Sequence, residues 1–168
     1  MKLLIVPVIA ALASLCTSAK KSTQGTFEEF HRKSVSSTPV KLDDATYESL
    51  TSAPRDYHVA VLLTALEARF GCQLCRDFQP EWDVLGKSWL RGDKKGISRL
   101  IFGTLDFQDG KAAFQRVRRR VCFRGLSVEL MIVQLMLQTA PVLLLFPPTT
   151  GPHARPDPQA VRYDFTTG

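Results

Sequence analysis

Hydrophobic and polar positions along this chain fall into blocks of different period. "YHVAVLLTAL", residues 57–66, is a near-continuous apolar run of strand length and predicts a buried parallel strand. In "CRDFQPEWDVLGKSWL", residues 75–90, Phe78, Trp82, Leu85 and Trp89 recur at three- and four-residue steps, which predicts a helix with that stripe facing the core. Pro80 lies inside the pattern and predicts either a kink or a place in the first turn. "SRLIFGTLDF", residues 98–107, predicts a second strand, and Asp109 is placed to cap a helix opening at "GKAAFQ", residues 110–115. "APVLLLF", residues 140–146, is a third strand, and "VRYDF", residues 161–165, a fourth. The Pro/Gly-rich loop "PPTTGPHARPDP" between them predicts a hairpin-like pair.

Upstream the pattern is weaker. "KKSTQGTFEEFHRKSVSSTP", residues 20–39, is polar, with a short patch of Phe27, Phe30 and Val35; it predicts an extended lead-in with one helical turn. "LDDATYESLTS" predicts a short helix capped by Asp43 or Asp44, with Tyr47 and Leu50 on one face and Pro54 beyond its end. The first 19 residues read as a secretory signal: Lys2, the apolar "LLIVPVIAALASLC", then Thr17 and Ala19 at the −3 and −1 positions. Cleavage there removes Cys16 and puts the mature chain in an oxidising compartment. The expected organisation is a signal peptide at 1–19, a lead-in at 20–52 and one domain at 53–168, with an anomalous insert at 116–134.

Length and composition agree with one domain, since 168 residues at 45% hydrophobic content suffice for a packed core. The formal charge of +6 suggests an acidic partner such as nucleic acid. Its distribution argues otherwise. "RVRRRVCFRGLSVELMIVQ", residues 116–134, holds five arginines and one glutamate; without that block and Lys2 the charge falls to +1. The basicity belongs to the block, and no nucleic-acid partner is expected. The apolar run "LMIVQLMLQTAPVLLLF" contains Gln134, Gln138 and Pro141 and ends at Pro147, so it reads as core and not as a membrane span.

The candidate chemistry lies in "GCQLC", residues 71–75. A zinc site needs four ligands. Cys122 stands alone, and His31, His58 and His153 show no ligand spacing, so neither metal nor cofactor is expected. A structural staple is an alternative, but so short a loop removes little chain entropy. The favoured reading is a working dithiol. Cys72 falls at the helix N-terminus, where unpaired N–H groups and the macrodipole stabilise a thiolate, with Arg69 and Arg76 adding positive potential. Cys75, one turn on, resolves a mixed disulfide. The order strand, CxxC, helix, strand, helix, strand, strand is the thioredoxin plan, an α/β fold with a central mixed sheet flanked by helices. "TAPV", residues 139–142, then places Pro141, expected cis, opposite the dithiol, with the backbone of Ala140 available to a substrate chain.

"KLDDATYESLTSAPRDYHVAVLLTAL", "GCQLCRDFQPEW", "LIFGTLDFQDGKAAFQ" and "LMLQTAPVLLLFPPTTGP" together resemble the luminal domain of the thioredoxin-fold (gamma-type) subunit of the eukaryotic oligosaccharyltransferase, in its fungal form. The resemblance covers roughly residues 40–115 and 135–168. It implies an auxiliary subunit of the endoplasmic reticulum complex that N-glycosylates proteins. Such a subunit holds cysteine-containing nascent polypeptides in transient mixed disulfides, while another subunit transfers the glycan. The resemblance makes Cys72 the attacking thiol, Cys75 the resolving thiol, and Pro141 with Ala140 the substrate groove. Other subunits of the complex are the implied partners. The alternative is a free-standing thiol–disulfide oxidoreductase of the secretory pathway. Two departures from the family stand out. The family continues with a last helix of the fold and then membrane helices, whereas this sequence stops at Gly168, so a thioredoxin-like fold short of that helix is expected in the lumen. The 116–134 block has no family counterpart and reads as an unspliced intron or a gene-model error.

Overall fold

The computed structural model describes residues 23–119, 141–157 and 159–165. The expected signal peptide, Cys16, Cys122, Ala140 and most of the 116–134 block lie outside the described residues.

Helix α1 spans Thr23–Ser36, strand β1 Val40–Leu42, and helix α2 Asp44–Thr51. Strand β2 follows at His58–Thr64, then a 3-10 turn at Ala68–Phe70 and helix α3 at Gln73–Gly92. Strand β3 is Leu100–Asp106, helix α4 Lys111–Arg119, strand β4 Val142–Phe146 and strand β5 Val161–Asp164. The five strands form one sheet in the order β1-β3-β2-β4-β5. β1, β3 and β2 run parallel, whereas β4 is antiparallel to β2 and β5 antiparallel to β4. With the CxxC pair opening the helix after β2, this is a thioredoxin-like fold.

The period-two alternation of the strands divides the core between two layers. Val59, Val61, Leu63, Ile101, Leu105, Val142 and Leu144 face one way and pack against Phe27 and Phe30 of α1, Tyr47 and Leu50 of α2, and Phe114 of α4. Ala60, Leu62 and Phe102 face the other way, under Trp82 of α3, with Phe78, Leu143 and Leu145 packed beside them. β2 lies in the middle with both faces covered, and that burial explains its unbroken apolar run.

Several expectations change. The lead-in is not extended: α1 has 14 residues, because Phe27, Phe30 and Ser34 recur at helical steps and are buried, while Val35 is 59% exposed. β1 follows directly after that polar stretch and was not predicted; it buries Val40 and Leu42 and pairs with β3. α2 is capped by Asp43, which with Thr46 forms a reciprocal capping box. The first turn of α4 is held by Asp44, whose carboxylate accepts from the N–H groups of Ala112 (3.2 Å) and Ala113 (2.7 Å), where the sequence pointed to Asp109. α3 is rotated from the predicted stripe: Cys75, Trp82 and Gly86 are its buried residues, while Leu85 and Trp89 are 49% and 41% exposed. Gly86 fits there because Pro39 lies 3.0 Å from the place a Cβ would occupy. Pro80 lies within α3, beyond its first turn.

Candidate functional site: a disulfide at the head of α3

β2 and β3 end side by side, with Thr64 opposite Asp106. The Asp106 carboxylate ties the two following loops together: it accepts from the N–H of Leu66 and the N–H of Gln108, each at 2.9 Å. Charge-assisted bonds of this kind are among the stronger ones in a fold. The 3-10 turn then closes at Gly71, whose φ of +64° favours glycine. That turn delivers Cys72 as the N-cap of α3.

Cys72 and Cys75 are joined by a disulfide, with Cα atoms 5.3 Å apart. The N–H of Cys75 points at Cys72 Sγ, 3.2 Å away. Sulfur therefore occupies the position at which a helix N-terminus presents unsatisfied donors and the positive end of its dipole. The two cysteines differ in access: Cys72 is 5% exposed and Cys75 0%. Ala65 packs with them, and Leu66, Phe70 and Phe107 surround the group. Phe107 makes edge contacts with both Phe70 (5.1 Å) and Phe114 (5.3 Å), linking the disulfide pocket to the core.

The two arginines expected to add positive potential are largely engaged locally. Arg69 pairs with Glu67, hydrogen-bonds Gln108 and lies over the Phe70 ring. Arg76 donates to Gln73 Oε1 at 2.8 Å on the first turn of α3, and Gln73 in turn donates to Asp77 at 2.7 Å. Glu67 offsets the charge of Arg69, whereas the neutral Gln73 leaves the charge of Arg76 in place on the first turn of α3.

Pro141 is fully buried and immediately precedes Val142, which pairs with Leu63. The register therefore brings Pro141 to the end of the sheet that carries the disulfide. Ala140 and the peptide bond it forms with Pro141 lie outside the described residues. Sequence reasoning missed Asp106, Gly71 and Phe107. The available signal was an aspartate closing an apolar strand beside a second strand that runs into the cysteines.

A family model described as "OST3 / OST6 family, transporter family" matches residues 27–120, more than half of the chain. The chain belongs to the OST3/OST6 family. The match ends within the arginine-rich block. Relatives of this OST3/OST6 chain are named dolichyl-diphosphooligosaccharide–protein glycosyltransferase subunit MAGT1. The Xenopus laevis protein is 30% identical over 103 residues, 61% of this chain and 26% of its own length. The Danio rerio protein is 35% identical over 77 residues, 45% of this chain and 23% of its own length. The Mus musculus protein is 27% identical over 114 residues, 67% of this chain and 28% of its own length. The chain thus spans about a quarter of the length of these relatives. Among solved structures, the long form of spinach chloroplast thioredoxin f overlaps 71% of this chain and 73% of its own, at 15% identity and a TM-score of 0.42. The Trx4 domain of ERdj5 overlaps 76% and 82%, at 14% identity and a TM-score of 0.40. The fold assignment rests on the strand order and on the place of the disulfide. Among the described residues no helix is long and apolar enough to cross a membrane.

Proposed function

We propose that this chain is an auxiliary subunit of the endoplasmic reticulum oligosaccharyltransferase complex, holding cysteine-containing nascent polypeptides through Cys72 while acceptor asparagines nearby are glycosylated. Family membership supports the complex, and the names of the relatives support the subunit role. The observation that carries the thiol chemistry is the unequal placement of the pair: Cys72 at the helix N-terminus with slight access, Cys75 fully buried behind it.

The chemistry runs as two exchanges. A client thiolate attacks Cys72 Sγ, the Cys72–Cys75 bond breaks, and Cys75 leaves as a thiolate that takes a proton from solvent. A Cys72–client disulfide results. For release, Cys75 gives up that proton and its thiolate attacks Cys72 Sγ, which expels the client thiolate and restores the starting disulfide. The round trip leaves client and protein in their original redox states. It delays the client's own disulfides without adding one. When the pair is reduced, the same mixed disulfide forms by attack of the Cys72 thiolate on a client disulfide, which expels a client thiolate; the N–H of Cys75 and the α3 terminus stabilise that Cys72 thiolate. Pro141, at the same end of the sheet, is the residue this reading assigns to the client backbone. Glycan transfer belongs to another subunit.

The test is site occupancy. Cells carrying Cys72→Ser in the full gene product should show reduced N-glycan occupancy, measured by glycopeptide mass spectrometry, at acceptor sites close to cysteines and unchanged occupancy elsewhere. A uniform change across all sites, or no change, overturns the client-holding role.

A further inference from the structure

At the end of the sheet opposite the disulfide, a cavity of about 500 Å³ opens between α2, α4 and the β4–β5 pair. Its location follows from its walls, since Arg55 precedes β2 and Thr149 follows β4. The volume is that of a small-molecule site. Three arginines from three separate elements line it: Arg55 from the α2–β2 connection, Arg116 from α4, in the part of the arginine-rich block that the family model matches, and Arg162 from β5. Glu48 is the one acid among its described lining residues, and Asp164 pairs with Arg162 beside them, so the three arginines and two carboxylates carry a net +1. Leu144 and Phe146 supply an apolar wall.

We propose that this cavity binds a phosphomonoester carried on an apolar body, with Arg116 and Arg162 on the phosphate and Leu144 and Phe146 against the body. A phosphomonoester carries about −1.5 to −2 at pH 7 and three acceptor oxygens, enough to engage Arg116 and Arg162 together. The planar guanidinium fork matches phosphate oxygens bidentately. Arg116 is available for exchange: its pair with Glu48, at 3.1 Å, joins two half-exposed side chains, and such pairs are weak. Arg162 pairs with Asp164 at the same sheet edge.

Arg55 fixes the wall. It is 2% exposed and lies 5.4 Å from the Phe146 ring. Its N–H donates to Thr149 Oγ1 at 2.8 Å, and its carbonyl accepts from the N–H groups of Thr149 (2.8 Å) and Thr150 (3.0 Å). Desolvation holds its pKa below the usual arginine value, so an anion brought into the cavity relieves the cost of that buried charge. A cation set in a low-dielectric wall also focuses its field into the cavity.

Isothermal titration calorimetry on the full chain tests the assignment, with phenyl phosphate as probe and inorganic phosphate and phenol as its separate halves. Phenyl phosphate should bind with one-to-one stoichiometry, roughly tenfold or more tighter than either half, as expected when head and body are both engaged. The double variant Arg116→Gln/Arg162→Gln should weaken it by roughly ten- to a hundredfold with an unchanged melting temperature. Glu48→Gln, which removes the opposing charge, should tighten it. Vesicles of phosphatidylcholine with and without phosphatidate separate two sources of this chemistry: competition with phenyl phosphate assigns it to a lipid headgroup, and its absence to a soluble ester. Equal affinity for phenyl phosphate and inorganic phosphate, unchanged affinity in the double variant, or no saturable heat overturns the proposal. None of these readouts depends on Cys72 or Cys75, so the thiol chemistry stands or falls separately.

Discussion

Trp82 is the residue through which the sheet holds α3, and with it Cys72, in place. It is 1% exposed, its Nε1–H donates to Thr104 Oγ1 at 3.0 Å, and its ring packs on Phe102 at 5.2 Å. Trp82→Ala removes the whole indole from the second core layer and should cost about 4 kcal/mol, the middle of the range for a buried aromatic. Trp82→Phe keeps a ring and loses the hydrogen bond. Thr104 is only partly buried, so water can replace part of the lost bond, and the cost should be nearer 1.5 kcal/mol. The pairwise term is isolated by a double-mutant cycle with Thr104→Val, measured by urea unfolding at constant m-value; the coupling should be about 1 kcal/mol. In the same samples, Trp82→Ala should make the disulfide more rapidly reducible, because Cys75 is covered by the docking of α3. A coupling within about 0.3 kcal/mol of zero, the usual scatter of additivity, would refute the hydrogen bond as an anchor. Unchanged reduction kinetics in Trp82→Ala would refute the link from anchor to site.

Three further outcomes follow from the packing and the charges. Gly110→Ala should destabilise the fold by about 1–3 kcal/mol in chemical denaturation, because the new methyl would sit 2.5 Å from atoms of Leu105, which is 0% exposed and has nowhere to move. Burial, then His153, Arg155 and Arg55, hold the His58 pKa below 6.5. The unfolded chain therefore binds a proton more readily; stability should be full above pH 6.5, fall as pH drops below it, and lose that slope in His58→Gln. Cys72→Ser/Cys75→Ser should cost no more than about 2 kcal/mol, since the disulfide closes a loop of only four residues; a larger loss in thermal or urea unfolding would restore the staple reading.

The central strands were legible because their signal is local. β2 reads as an apolar run since both its faces are buried, and β4 and β5 are flanked by proline and glycine. The dithiol was legible for the same reason: Cys72 and Cys75 sit between a clear strand and a clear helix. α1 was not, because its buried face is narrow: Phe27 and Phe30 are its buried large apolar residues, and most of its other positions are polar. β1 was missed because three residues are too few for a period, and its strand state comes from pairing with β3. The buried face of α3 was misread because Gly86, not a large residue, makes the close approach to Pro39, a contact that hydrophobicity does not encode. Asp106 ties the site together through two backbone N–H groups some distance apart in sequence, a tertiary feature with no motif of its own.

The most direct test of the central claim is trapping. Cys75→Ser in the full-length chain removes the resolving thiol, so the Cys72 thiolate attacks a client disulfide, expels one client sulfur as a thiolate and stays joined to the other. After rapid acid quenching and alkylation, non-reducing electrophoresis with mass spectrometry should show mixed disulfides at Cys72 to cysteine-containing glycoproteins, absent from the Cys72→Ser/Cys75→Ser control. Accumulation of the same adducts in that control, or none at Cys72 in the Cys75→Ser chain, would contradict the account.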